Sequence, residues 1–234
     1  MTQLIAVVVP AHNEQDVIGA CLRSVFLASR CTALSEEPVL VIVVLDDCSD
    51  ETGSIAREHG AVCVPVCARN VGRARALGAE MALEAGARWL AFTDADSEVP
   101  PDWLSTQLAL GSDAVCGVVD VREWGDYDES VRRQFHANYF AVDGHVHIHG
   151  ANLGVSAGAY RSAGGFPPLA SSEDVALVNA LQTCGASIVW SAAAKVVTSA
   201  RRSYRAPGGF GATLERIDGL RHEGTQQGVH EERA

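Results

Sequence analysis

Three acidic groupings, an arginine pair and a histidine triplet carry the residue types that chemistry would need. Asp94-Ala95-Asp96 follows an apolar run. Residues two apart in an extended segment point to one side, so both carboxylates can face one hard divalent cation. The ordinary alternative is a solvated acidic turn continued by Ser97 and Glu98. Asp46 and Asp47 are adjacent and lie on opposite faces if extended, which lets at most one enter a pocket directly. A turn capping the helix near Glu51 would be the mundane use of Asp47, a task open equally to Ser49 and Asp50. Glu173-Asp174 could serve proton transfer, yet Ser171-Ser172-Glu173-Asp174 is also an ordinary helix start, where acids complement the macrodipole. Arg73 and Arg75 sit about 200° apart around a helix, so both cannot reach one phosphate from regular positions. His145, His147 and His149 share one face of an extended segment. The first and last would be ~13 Å apart at ~3.3 Å per residue, too far for a single zinc ion unless the strand bends. They suit the lining of an acceptor site or a structural role about equally.

These groups must be held by elements, and the hydrophobic periodicity supplies them. Continuous apolar runs at 4–9, 39–45, 61–66 and 89–92, with another at 113–119, predict strands buried on both faces. Helical patterns follow at 17–25, 51–58 and from Asn70, a candidate N-cap, to Ala85; Pro100-Pro101-Asp102-Trp103 opens another. Alternating strand and helix implies a doubly wound α/β domain over the first half. Further on, 125–142 reads as helical and aromatic, 145–156 as extended with glycines, and 171–184 as helix. From about residue 203 the chain is polar and glycine-rich, and 221–234 reads as a mobile tail. In open α/β sheets ligands bind beyond the carboxyl ends of the strands. Those ends carry Pro10-Ala11-His12-Asn13-Glu14, Asp46-Asp47, Arg69-Asn70 and Asp94-Ala95-Asp96, a rim of carboxylates with a few cations.

Composition removes several partners. With 18 Lys+Arg against 29 Asp+Glu the 234-residue chain carries a net charge of −11, which argues against a nucleic-acid backbone as ligand. Hydrophobic residues make up 47% of it, enough to bury a sizeable core. No apolar stretch approaches the length of a membrane span, and the N-terminus, short of basic residues and soon reaching Pro10, reads as a strand and not a signal peptide. Seven cysteines form an odd set without a CxxC pair, fitting neither a disulfide framework nor a zinc ribbon and pointing to a reducing cytosol.

The ordered motifs VVVPAHNE, LDDCSDET, RNVGRARALGAEMA, FTDADSEVPPDW, GANLGVSAGAYRSAGGF and SSEDVAL, spread over roughly residues 4–205, resemble glycosyltransferase family 2, the inverting nucleotide-sugar transferases of the GT-A fold. No GxGxxG or GxxxxGK[ST] loop follows the first strand, which counts against dehydrogenase and P-loop readings. The resemblance implies one GT-A domain over 1–220, with a nucleotide-binding half (1–119) and an acceptor-binding half (120–220). Its central sheet would be mostly parallel, flanked by helices, with a smaller mixed region on the acceptor side. It makes Asp96 a ligand of Mn²⁺ or Mg²⁺ and Asp94 a second metal or ribose contact. Asp47 becomes the nucleobase-contacting carboxylate, with Pro10, His12 and Glu14 around it. Arg75 would face the diphosphate, and Arg201, in a cationic stretch with Lys195, Arg202 and Arg205, could fold over it. Asp174 would be the catalytic base. The implied partners are a nucleotide-diphospho-sugar donor and a sugar, small-molecule or lipid-linked acceptor, in the cytoplasm or at the inner membrane face. The alternatives are a sugar-phosphate nucleotidyltransferase, which would carry a glycine-rich loop where this chain has PAHNE, and a non-catalytic nucleotide-sugar-binding domain. No QxxRW motif follows the Glu-Asp pair, against a processive polymerase.

Overall fold

The computed structural model describes residues 3–201 together with 211, 214–216, 218 and 219; the tail expected at 221–234, and Arg202 and Arg205, lie outside the described residues. The strands β1 (Leu4–Ala11), β2 (Val39–Asp46), β3 (Val62–Val66), β4 (Ala87–Phe92), β5 (Ser97–Glu98), β6 (Ala114–Val121), β7 (Leu153–Ser156) and β8 (Ile188–Thr198) form one sheet in the order β3-β2-β1-β4-β7-β6-β8-β5. Between them run α1 (Ile18–Ala28), α2 (Thr52–Glu58), α3 (Val71–Glu84), α4 (Trp103–Ala109), α5 (Glu129–Asn138), α6 (Ala157–Ser162) and α7 (Glu173–Thr183).

The pairings β3-β2, β2-β1 and β1-β4 are parallel, whereas β4-β7, β7-β6 and β8-β5 are antiparallel. The chain winds outward from β1 through β2 to β3 and then returns to β4 on the other side of β1. That reversal is the switch point beyond which an α/β sheet opens a ligand crevice. Alternation along β1 divides the core. Ile5, Val7 and Val9 join Ile18, Leu22, Val25 and Trp103 under α1 and α4. Ala6 and Val8 join Ala74, Ala82, Tyr160, Leu177 and Leu181 under α3, α6 and α7. Burying both faces of β1 and β2 explains their unbroken apolar runs.

The Asn70 side chain accepts the Arg73 N–H at 2.9 Å and caps α3, as its position suggests. The expectation for 145–156 is corrected. Only Leu153–Ser156 is strand, preceded by a 3-10 turn at Gly150–Asn152, and residues 145–149 pair with no strand. The turn arises because the Asn152 N–H bonds the His149 carbonyl at 2.9 Å, closing the backbone on itself.

The chain forms two compact units. The first holds the described residues up to Asp120 with Ala141–Thr198. The second holds Val121–Phe140 and the described residues from Ser199 onward, around an apolar cluster of Val121, Tyr127, Val131, Phe135, Ala200 and Leu214.

Gly78 shows how closely α3 lies on the sheet: a Cβ there would run into Val8 and touch Val44 at 3.0 Å. Alanine would gain up to ~1 kcal/mol of helix propensity, but overpacking a full core costs ~1–3 kcal/mol. Gly78→Ala is therefore expected to lower the thermal midpoint. Gly158→Ala in α6, where the Cβ meets nothing within 4 Å, should leave it level or raise it. Paired melting curves check the contrast.

Candidate active site

The carboxyl ends of β1, β2 and β4 meet loops whose backbones are unusual. Of the six non-glycine residues with positive φ among the described residues, Asn13, Asp47, Arg69 and Ser172 lie on this rim. Such conformations cost free energy and persist where the surroundings over-determine them, as they do at binding sites. The determinant here is Asp46, the last residue of β2, only 5% exposed. Its carboxylate accepts the backbone N–H groups of Ala68, Arg69 and Asn70 at 2.7–2.8 Å, folding the loop from β3 into α3 around one anchor. The His12 Nδ1 lies 2.5 Å from the Asp46 carbonyl oxygen and donates to it, which fixes the imidazole tautomer. Asp47, turned outward at φ 55°, stays half-exposed and pairs with the exposed Arg69 at 2.5 Å. Of the two adjacent aspartates one therefore builds the loop and the other faces outward.

Arg75, one turn into α3, is 3% exposed, and its guanidinium bonds Asp94 through Nη2 and Glu173 through Nη1. Asp94 stands two residues beyond β4, and Glu173 is the first residue of α7, 98 positions from Arg75. The guanidinium also lies over the Phe166 ring at 5.9 Å and against Gly150, where any Cβ would collide with it. Burial works against this charge, but Asp94, Glu173 and Asp174 more than offset it and hold the guanidinium above its usual range. Arg75, expected to face the diphosphate, is held between carboxylates of two elements, Asp94 beyond β4 and Glu173 of α7.

Asp94 and Asp96 are both half-buried at the end of β4, with Ala95 between them in the core. The buried Cys21 thiol of α1 donates to the Asp94 carbonyl at 3.3 Å. Burial, then Asp96, Asp94 and Glu98 in turn, push that thiol far up, a sign that these carboxylates converge on one neighbourhood. The pair fits a hard divalent cation: the donors are oxygens, and Arg75 takes only Oδ1 of Asp94. Among the described residues no group of three or more His, Cys, Asp or Glu could hold an ion alone. Remaining ligands would have to be phosphate oxygens and water, the usual arrangement for Mg²⁺.

Asp174 follows Glu173 in the first turn of α7 and is half-buried. Its Oδ2 accepts the Gly150 N–H and its Oδ1 the Val175 N–H, both at 2.8 Å. The structure therefore gathers Asp94, Arg75, Glu173 and Asp174 into one connected group. Pro10 and His12 are half-buried at the end of β1 and just beyond. Glu14 is 7% exposed; its N–H donates to Thr52 Oγ1 at 2.7 Å, while its carbonyl accepts Val17 and Ile18 N–H at the start of α1. Arg201 belongs to the second unit, where its N–H donates to Ser199 Oγ at 3.2 Å. Asp46 and Glu173 are the members whose work the sequence reading missed. Each lies beside a residue that it singled out, and only partners distant in sequence tell the neighbours apart.

A model of glycosyl transferase family 2 matches residues 6–161, well over half the chain. No curated protein matches. Among solved structures, the fold is similar to residues 1–349 of S. aureus TarS in complex with UDP-GlcNAc (TM-score 0.67, 15% identity, 87% of this chain and 60% of that one). It is also similar to the mannosyltransferase PcManGT from Pyrobaculum calidifontis in complex with GDP-Man and Mn²⁺ (TM-score 0.60, 20% identity, 85% and 57%). The chain spans only about 60% of the length of such neighbours. At these identities the likeness establishes the fold, a GT-A-type mixed sheet.

Removing Arg75 gives a signed stability effect. Burial raises the Glu173 carboxyl above its ordinary range, and Arg75 pulls it partly back. A carboxyl raised in the folded state favours folding below its unfolded pKa, and that contribution is lost as pH climbs through the folded value. Without Arg75 the carboxyl rises further and loses its buried partner. Arg75→Met is expected to cost about 3–5 kcal/mol near neutral pH, the scale for breaking a buried pair, and distinctly less as the pH falls and the raised Glu173 carboxyl takes up its proton. Urea unfolding at two pH values checks both parts.

Proposed function

The chain belongs to glycosyl transferase family 2, and from that premise we propose that it transfers a sugar from a nucleotide-diphospho-sugar to an acceptor hydroxyl, with inversion and with help from a divalent cation. The observation that carries this reading is the Arg75 bridge, which ties Asp94 at the end of β4 to the first turn of α7, where Asp174 sits. One carboxylate suited to the cation of a leaving diphosphate and one suited to a proton are thereby held in fixed relation.

Asp47, on the outward turn of the β2 loop, is the contact for the nucleobase, with His12 and Pro10 beside it. Asp96 and Asp94 are the residues that would hold Mn²⁺ or Mg²⁺; when bound, such an ion neutralises charge on a departing nucleoside diphosphate. Asp174 takes the proton from the acceptor hydroxyl as that oxygen attacks the anomeric carbon from the face opposite the nucleotide, breaking the bond to the diphosphate. A single displacement inverts the centre. The N–H groups of Gly150 and Val175 support this reading, because two donors leave the carboxylate oriented while its remaining lone pairs can still accept a proton. Arg75 positions Asp94 and Glu173 and needs no contact with substrate.

UDP or GDP should raise the apparent melting temperature only when Mn²⁺ is present, since a ligand that binds the native form stabilises it by mass action. Asp96→Asn should abolish that metal-dependent rise. Asp174→Asn should retain it while transfer from the productive donor falls by about 10²–10⁴, the usual scale for losing a general base. Unchanged transfer in Asp174→Asn would refute the assignment of the base.

A further inference from the structure

The loops that follow β1 and β2 are joined more densely than the reaction as described requires. The Asn13, Glu14 and Gln15 N–H groups donate across to Cys48 Sγ at 3.4 Å, Thr52 Oγ1 at 2.7 Å and Asp50 Oδ2 at 3.1 Å. Bonds run the other way as well. Ser49 N–H donates to Asn13 Oδ1 at 2.8 Å, Glu51 N–H to Gln15 Oε1 at 3.1 Å, and the Cys48 thiol to the Ala11 carbonyl at 3.3 Å. Each loop thus satisfies backbone groups of the other.

This clasp brackets Asp47. The Asp47 N–H is held by the Val66 carbonyl at 2.7 Å, and the two residues that follow it, Cys48 and Ser49, are held by the β1 loop. Asp47 itself has φ 55°, a conformation that persists in an aspartate when its surroundings fix it. Asp46 and Asp50 direct their carboxylates to backbone N–H groups, which leaves Asp47 between them facing outward. Asn13 stands at the centre of the clasp. Its N–H reaches Cys48, its Oδ1 takes both the N–H and, at 3.4 Å, the hydroxyl of Ser49, and its own φ of 54° is one that asparagine tolerates better than most residues.

We propose that Asn13 is a positioning residue for nucleobase recognition: its side chain holds the Ser49 N–H, fixes the left-handed turn at Asp47, and so aims the carboxylate that reads the base. The proposal rests on the reading of Asp47 as the nucleobase contact. Asn13 acts through that turn and not on the metal or the diphosphate. It therefore governs how well one base is told from another and leaves phosphate binding alone.

Calorimetric titration of the whole chain with Mn²⁺ and, in turn, UDP, GDP and inorganic pyrophosphate separates these effects. Asn13→Gly keeps the left-handed backbone accessible and removes only the side-chain acceptor. It should weaken the better-bound nucleotide by about three- to tenfold, the scale of one hydrogen bond, and narrow the preference between UDP and GDP. Pyrophosphate affinity should not change. Asn13→Asp, which retains an acceptor and tolerates the same φ, should restore most of the preference. Equal losses for nucleotide and pyrophosphate in Asn13→Gly, or no rescue by Asn13→Asp, would overturn the proposal. Asp47→Asn separates it from the reading beneath it. Where Asp47→Asn weakens the nucleotide and Asn13→Gly does not, the positioning role alone fails; where Asp47→Asn has no effect, both fail. Amide exchange followed by NMR needs no variant and decides the matter if Asn13→Gly does not fold. The Ser49 N–H should be protected before any nucleotide is added, and one that exchanges as freely as an open loop would contradict the clasp.

Discussion

One buried guanidinium decides how this site is assembled. Arg75 reaches from α3 to Asp94 at the end of β4 and to Glu173 at the start of α7, and it is 3% exposed while doing so. A lone buried cation is prohibitively costly, and so is a lone buried carboxylate. Each member therefore constrains the others, because any movement that separates them strands a charge without water. The link between the end of β4 and the first turn of α7 is thus electrostatic.

The surrounding sequence makes room for that group. Gly150 leaves space for the guanidinium, Phe166 offers it a ring face, Ala74, Gly78 and Ala82 let α3 lie close to the sheet, and Gly72 lets it meet the backbone at Pro167 and Leu169. The same Gly150 presents its N–H to Asp174, so one residue serves both carboxylates of the Glu-Asp pair by having no side chain and a free donor. Asp46 does comparable work at the end of β2 by fixing the 68–70 loop through three backbone bonds. In each pair one carboxylate is taken up inside the protein, Asp46 by three backbone N–H groups and Glu173 by Arg75, and its neighbour in sequence is the more exposed: Asp47 beside Asp46, Asp174 beside Glu173.

What the sequence made legible is local. The apolar runs of β1 and β2, the Asn70 cap and the acidic strand ends depend on residues a few positions apart, and periodicity reports them directly. The 11-residue strand β8 escaped because its Ala192-Ala193-Ala194 centre carries no strand signal, and α6 because Gly158 and the glycines on either side of it read as turns. The division of labour within Asp46-Asp47 and Glu173-Asp174 was illegible for another reason. It is set by partners as far as 98 residues away, and no pattern of spacing encodes which of two adjacent carboxylates will meet a buried arginine. The histidine triplet shows both outcomes: alternate residues do share a face, as spacing implies, but the backbone bearing them pairs with no strand.

The central claim is that Arg75 and Glu173 act as one unit, and a double-mutant cycle measures this most directly. Urea unfolding of the wild type, Arg75→Met, Glu173→Gln and the double variant gives the coupling between the two side chains. The expected result is a favourable coupling toward the upper end of the ~0.5–3 kcal/mol seen for residues in one network. Additivity within ~0.3–0.5 kcal/mol, the behaviour of independent sites, would contradict the claim that this pair holds the site together.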